Sequence, residues 1–307
     1  MIDLIGNTPL LPLPDGLVEL PPGVEVWLKH EGANPGGSVK DRAAREIVLE
    51  AERSGRLRPG GTVLDASSGN TGIAYAMIAA SRGYRLVLAL PRNASAERRR
   101  LLGAYGAMVV ETSPLEGTDG AQREAVRLAE RNPEWVYLNQ YDNDANWLAH
   151  LRTTGPELWS QTDGRITHLV ATVGTSGTLT GTSRFLRSVR PEIEIVEVQP
   201  EGPMHGLEGV KHMPTARVPG IYDPELADRR VGADTDEAYR WVRALARRGL
   251  LVGPSSGAAT AAAVRVAREL LRGVVVAILP DSGTRYLSDE RIWQAEPEED
   301  RWQQLAS

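Results

Sequence analysis

The chain has 307 residues, of which 41% are hydrophobic and 24% charged, and a formal net charge of −5, a mixture expected of a folded α/β body or two lobes. It contains no cysteine, which excludes disulfides, thiolate metal sites and a cysteine nucleophile. The charge argues against a nucleic-acid partner, no run approaches the roughly 18 apolar residues of a membrane helix, and residues 1–9 lack a basic-then-apolar secretory pattern, so a cytoplasmic protein is expected.

From the N-terminus, β-branched and aliphatic runs alternate with helical patterns. A strand is expected at 24–29, and Ala44, Ile47, Val48 and Ala51 on one face predict a helix over 43–54 stopped by Gly55. Strands at 62–65, 85–90, 107–110 and 135–138 alternate with helices at 71–82, 97–105 and 120–132. Within the second of these helices, Arg98-Arg99-Arg100 reads as a solvated face opposite Leu101, Leu102 and Tyr105. Strands at 166–171, 194–198 and 274–279 alternate with helices at 178–189, 234–248 and 257–271. Residues 199–233 carry five prolines and little periodicity, the mark of a long functional or mobile loop. The last ten or so residues read as an acidic, Trp-bearing, loosely docked tail. This alternation predicts a mostly parallel sheet covered by helices on both faces.

Only three lysines, Lys29, Lys40 and Lys211, stand beside 32 arginines. High genomic G+C content produces such a ratio with no functional cause. An amine, however, can lose its proton and attack a carbonyl, whereas guanidinium stays protonated. Lys40 follows Pro35-Gly36-Gly37-Ser38 and precedes a helical pattern, where helix N–H dipoles help deprotonate an amine.

Three clusters of glycine and hydroxyl residues precede helices: Ser67-Ser68-Gly69-Asn70-Thr71-Gly72, Gly174-Thr175-Ser176-Gly177-Thr178 and Gly253-Pro254-Ser255-Ser256-Gly257. Each alone is compatible with ordinary turns and N-caps. Three together, all expected at the C-terminal ends of strands, point to a ligand-binding edge of an open sheet. No Gly-x-Gly-x-x-Gly follows the first strand and no Gly-x-x-x-x-Gly-Lys-Ser/Thr occurs, which counts against dinucleotides and nucleoside triphosphates. A ligand with one phosphate and one carbonyl is left, and pyridoxal phosphate is the common cofactor with both. The five histidines form no metal-ligand pattern, so no metal is expected. Gly253 to Gly257 matches a nucleophile elbow, but no histidine follows it to complete a triad in the usual order.

These clusters, with Ile5-Gly6-Asn7-Thr8-Pro9-Leu10, Asn139-Gln140-Tyr141-Asp142-Asn143, Thr153-Thr154-Gly155-Pro156-Glu157 and Arg285-Tyr286-Leu287-Ser288, resemble the cysteine synthase family. The family comprises O-acetylserine sulfhydrylases, fold type II pyridoxal phosphate enzymes. The likeness runs in order from about residue 5 to residue 290. Stretches 31–38, 164–168 and 219–222 resemble the B isozyme more than the A isozyme.

The resemblance implies two α/β lobes, tryptophan synthase β-like, each with a mostly parallel sheet flanked by helices. Their expected extents are 35–145 for one lobe and 1–34 plus 146–307 for the other. It further implies that Lys40 holds the cofactor covalently and, once released, moves the α-proton. Asn70 is matched to the cofactor's ring hydroxyl, Gly174, Thr175, Ser176, Gly177 and Thr178 to its phosphate, and Ser255 to its pyridine nitrogen. Ser67, Ser68, Thr71 and Gln140 are matched to the substrate carboxylate, and Lys211 stands where relatives often carry an arginine near the mouth of the site. The implied reaction is β-replacement on a serine ester, acetyl or phospho, with sulfide or thiosulfate as sulfur donor, in a homodimer. The rivals are a cystathionine β-synthase or a serine/threonine dehydratase, the longer of which the short C-terminal stretch disfavours, and a catalytically silent binding protein on the same scaffold.

Overall fold

The computed structural model describes residues 1–67 and 69–293. Ser68 and the acidic tail lie outside the described residues. The first half of the chain forms β1 (Leu10–Pro12), β2 (Val24–His30), α1 (Lys40–Arg53), β3 (Thr62–Ala66), α2 (Asn70–Arg82), β4 (Arg85–Pro91), α3 (Ala96–Ala104), β5 (Met108–Thr112), α4 (Gly117–Arg131) and β6 (Val136–Tyr137). The second half adds α5 (Ala145–Arg152), α6 (Thr154–Gln161), β7 (His168–Thr172), α7 (Gly177–Val189), β8 (Glu194–Pro200), β9 (Arg229–Ala233), α8 (Thr235–Ala246), α9 (Pro254–Arg268), β10 (Gly273–Leu279) and the short α10 (Glu290–Trp293).

Two sheets result. The smaller, ordered β5-β4-β3-β6, is parallel throughout. The larger, ordered β1-β2-β10-β7-β8-β9, is parallel except for β1, which runs antiparallel to β2. The first strand therefore joins the sheet built by the second half of the chain, while α1 leads into the other.

The near-continuous apolar strands follow from burial on two faces. Along β10, Val275, Ala277 and Leu279 pack in one core with the alanines of α9, while Val274, Val276 and Ile278 pack in another with Leu158 of α6 and Leu186 of α7. The same period of two divides β4. Leu86, Leu88 and Leu90 meet α1 and α2, and Val87 and Ala89 meet Ala121 and Ala125 of α4. Small residues on α9 bring it close to its neighbours. A Cβ at Gly257 would run into the carbonyl of Ala238 on α8.

Candidate active site

Lys40 is the first residue of α1, three residues earlier than the apolar periodicity places the helix start. The Pro-Gly-Gly turn before it explains the difference. Gly37 sits at φ +80°, and a Cβ at Gly36 would strike the Asp41 carboxylate, which accepts the Gly36 N–H at 2.5 Å. Glycine alone allows so tight an approach. The Val39 N–H is held by the Pro280 carbonyl at 2.7 Å, tying the turn to the end of β10. Lys40 projects into a cleft of about 590 Å3 between the two sheets. Burial pushes its amine pKa down, against the pull of the Asp281 and Glu31 carboxylates.

The first hydroxyl cluster follows β3 and opens α2, as expected. Ser67 Oγ accepts the N–H groups of Gly69 and Gly72 at 3.1 Å each, so the loop is shaped by its own side chain. Thr71 Oγ1 donates to Gln140 Oε1 at 2.7 Å, and Gln140 Nε2 donates to the Ala66 carbonyl at 2.9 Å. Ser67, Asn70, Thr71 and Gln140 all line the cleft; Ser68, matched to the same function, lies outside the described residues.

The second cluster follows β7 and opens α7. Ser176 adopts the left-handed region at φ +71°, a conformation costly for a non-glycine residue. Cβ atoms at Gly174 and Gly177 would run into the Gly209 carbonyl and the Asn146 carboxamide. Gly174, Thr175 and Thr178 face the cleft. Ser176 and Gly177 do not line it, and the Ser176 hydroxyl donates backward to the Ile221 carbonyl at 3.3 Å. Asn146 Nδ2 donates to Thr175 Oγ1 at 3.1 Å, and His150 Nε2 lies 3.3 Å from Thr178 Oγ1. Burial, reinforced by the nearby Arg42 charge, pushes His150 down to about 3. His150 is therefore a neutral hydrogen-bonding support behind the loop.

The third cluster corrects an expectation. It follows α8 and an isolated bridge between Val252 and Ser282, so it does not sit at a strand's C-terminal end. It also opens its helix earlier than expected. α9 begins at Pro254 with Gly253 as N-cap, and Ser255 lies inside the first turn, facing the cleft.

One basic residue also differs from its sequence reading. Arg98 is 5% exposed, pairs with Glu208 across the cleft and stands 5.4 Å above the Tyr286 ring. It is not part of a solvated face, because α3 turns it toward the site. Lys211 also lines the cleft. Its Nζ donates to the Arg217 carbonyl at 3.1 Å and lies 3.7 Å from Asp119 of α4. Burial lowers the pKa of this amine and Asp119 opposes the shift.

Sequence reading missed Asn146, His150, Arg98 and Asp281. Apart from Arg98, whose run of three arginines pointed to solvent, none stands in a distinctive local pattern, and each reaches the site only through a tertiary contact.

A family model described as "Pyridoxal-phosphate dependent enzyme" matches residues 1–281. The chain is 48% identical to the cysteine synthase of Aquifex aeolicus, over 94% of this chain and 90% of that one. It is 47% identical to cysteine synthase B of Salmonella typhimurium, over 92% and 93%. The crystal structure of a cysteine synthase from Entamoeba histolytica superposes with a TM-score of 0.93 at 35% identity, covering 99% of this chain and 93% of that one.

Proposed function

Because the chain belongs to the pyridoxal-phosphate dependent enzyme family, we propose that it is a cysteine synthase performing β-replacement on a serine ester. The ester is O-acetylserine or O-phosphoserine, and the incoming nucleophile is sulfide or thiosulfate, giving cysteine or S-sulfocysteine. One observation carries the reading: Lys40, Asn70, Thr71, Gln140, Thr175 and Ser255 come from distant parts of the chain and converge on a single cleft.

The residues fit a ligand with one phosphate and one carbonyl. The bare backbone of Gly174 lets the loop pack directly against the Gly209 carbonyl, and the first turn of α7 supplies N–H groups and hydroxyls for a phosphate. With the group bound, Ser255 would meet the pyridine nitrogen, Asn70 the ring oxygen and Lys40 the carbonyl carbon; all three line the cleft. When bound, pyridoxal phosphate supplies the electron sink that lets a proton leave Cα and a substituent leave Cβ. Lys40, with its lowered pKa, is the base for the Cα proton. Ser67 and Thr71, at the start of α2, and Gln140, which reaches them from beyond β6, would receive the substrate carboxylate together with Ser68. Closure of lobe 35–145 on lobe 1–34 plus 146–307 would exclude water during elimination.

Initial rates with each ester and each sulfur donor test the proposal. Faster turnover of serine with homocysteine would replace it by a cystathionine β-synthase, and a protein whose visible band ignores every serine ester would replace it by a silent binder.

Ser255 offers the ring nitrogen a hydrogen bond without a negative charge. Ser255→Asp is expected to retain cofactor yet slow β-replacement by about tenfold or more, because a carboxylate favours the protonated nitrogen and redistributes charge during elimination. An acidic residue in the first turn suits the helix dipole, so a fall in rate would not reflect a weakened α9. Rates within about twofold of wild type would leave Ser255 as a helix residue only.

Lys211→Ala is expected to raise KM for O-phosphoserine or thiosulfate about tenfold more than for O-acetylserine or sulfide, the worth of one charge-assisted hydrogen bond. Asp119→Asn, which removes a competing carboxylate 3.7 Å away, should act in the opposite direction. Equal effects on both kinds of substrate would reduce Lys211 to packing.

A further inference from the structure

The segment after β10 holds no substrate or cofactor group in the proposed reaction, yet it touches the Lys40 turn, the Gly253 loop and Asn70. Its Pro280 carbonyl holds the Val39 N–H, its Ser282 N–H donates to the Gly37 carbonyl at 3.2 Å, and its Asp281 carbonyl accepts the Gly253 N–H at 3.2 Å. Two of its side chains end on Asn70. Asp281 Oδ2 accepts from Asn70 Nδ2 at 2.6 Å and from the Tyr286 hydroxyl at 2.6 Å. Arg285 Nη1 donates to Asn70 Oδ1, and its Nη2 donates to the Gly36 carbonyl. Asp281 is 1% exposed and Arg285 6%, so water does not compete freely for either contact.

A carboxamide can present an oxygen or an NH2 to a ligand, and a half-turn about its last bond exchanges them. A carboxylate only accepts hydrogen bonds and a guanidinium only donates them. With Asp281 at one end of the amide and Arg285 at the other, a single orientation satisfies both. Oδ1 must face Arg285, and one Nδ2 hydrogen must face Asp281. The second Nδ2 hydrogen remains, and Asn70 lines the cleft.

We propose that Asp281 and Arg285 are positioning residues that lock the Asn70 amide so that it offers an N–H, never its carbonyl oxygen, to the ring oxygen of the cofactor. The proposal rests on the pyridoxal phosphate reading of the cleft. A ring oxygen carrying negative charge is stabilised by that N–H and repelled by a carbonyl oxygen in its place. Arg285 couples this lock to the Lys40 turn, since the same guanidinium holds the Gly36 carbonyl, and a Cβ at Gly37 would lie 2.8 Å from its Nη2.

The test compares holoenzymes of wild type, Asn70→Ala, Asp281→Asn, Arg285→Met and the two double variants that add Asn70→Ala. The readouts are the visible absorption band, its dependence on pH, and the rate of cofactor loss on dialysis. Asp281→Asn preserves shape but can donate or accept, so it releases the orientation without leaving a hole, and it decides the question if Arg285→Met does not fold. Each single variant is expected to lose cofactor about tenfold faster, the worth of one hydrogen bond, and to move the band toward that of Asn70→Ala. Asp281→Asn should not add to the effect of Asn70→Ala, because the lock then has nothing to hold, and Arg285→Met should add only what its contact with the Gly36 carbonyl contributes. A wild-type band and release rate in Asp281→Asn, or effects that add in full to Asn70→Ala, would overturn the proposal. A wild-type protein with no visible band and no borohydride-fixed label would overturn the cofactor reading itself, before any variant is compared.

Discussion

Replacing Lys40 by alanine is expected to lower turnover of a serine ester by at least about a thousandfold, within the range of losing a positioned acid–base group. Borohydride reduction of wild-type holoenzyme followed by peptide mapping should place the pyridoxyl label on Lys40 alone. The structure makes the competing amines poor candidates. Lys29 spends its three hydrogens on the Thr8 carbonyl at 2.8 Å, Glu157 at 2.7 Å and Gln161 at 2.8 Å, and its side chain is fully buried away from the cleft. Lys211 is engaged by the Arg217 carbonyl and by Asp119. Among the described residues, no hydrogen-bond acceptor holds the Lys40 amine. Because burial lowers its pKa, a larger fraction of it is neutral at a given pH than of a free lysine. Label found on Lys29 or Lys211 would refute the assignment.

The position of Lys40 at a helix start was legible in the sequence because its signals are local. A Gly-Gly turn must precede a helix that starts on Lys40, and the hydroxyl clusters before α2 and α7 carry their own loop chemistry in consecutive residues. Strands with long apolar runs were equally legible. β9 was not, because Arg229-Arg230-Val231-Gly232-Ala233 is an edge strand with no apolar run, set behind a proline-rich loop. The three-residue β1 is likewise too short to show a period. Helices α5 and α6 were also missed. They meet at Thr153, whose backbone (φ −129°, ψ −68°) breaks a pattern of only eight residues on either side. Arg98 failed for a different reason. Three consecutive arginines on a helix look solvated unless the partner is known, and Glu208 lies 110 residues away in an aperiodic loop. Asp281 and Arg285 belong to the same class. Their effect on Asn70 depends on how two sheets pack.

The other large effect is expected on stability, from Arg42, two residues beyond Lys40 on α1. Its guanidinium donates to both oxygens of Glu31 at 2.7 and 2.8 Å, to both oxygens of Glu157 at 2.6 and 2.7 Å, and to Thr8 Oγ1 at 3.0 Å. Arg42 and Glu31 are both fully buried, and Lys29 completes the cluster through Glu157. Removing one member of a buried ion pair strands the other charge, which typically costs about 3–5 kcal/mol. Arg42→Met keeps much of the volume and removes the charge, so it should lower stability by about that amount, and Arg42→Met with Glu31→Leu should recover part of it. Guanidinium-induced unfolding measures both. The pH dependence carries the sign. Burial alone would push the Glu31 carboxyl up, but the Arg42 charge and the hydrogen bonds from Arg42 and Thr8 hold it at about 2. A carboxylate depressed below its unfolded value of roughly 4.3 stabilises the fold above that pH and ceases to do so as pH falls toward the folded value. Wild type should therefore lose about 2 kcal/mol between about pH 4.5 and 2, while Arg42→Met, having already lost the pair, should show a flatter profile there. Parallel profiles would mean that Glu31 does not depend on Arg42. The position of the cluster connects this to catalysis. It fastens the first turn of α1 to the loop at Thr8, the end of β2 and α6, so the helix that begins on Lys40 is anchored to segments of the opposite sheet by charge as well as by packing.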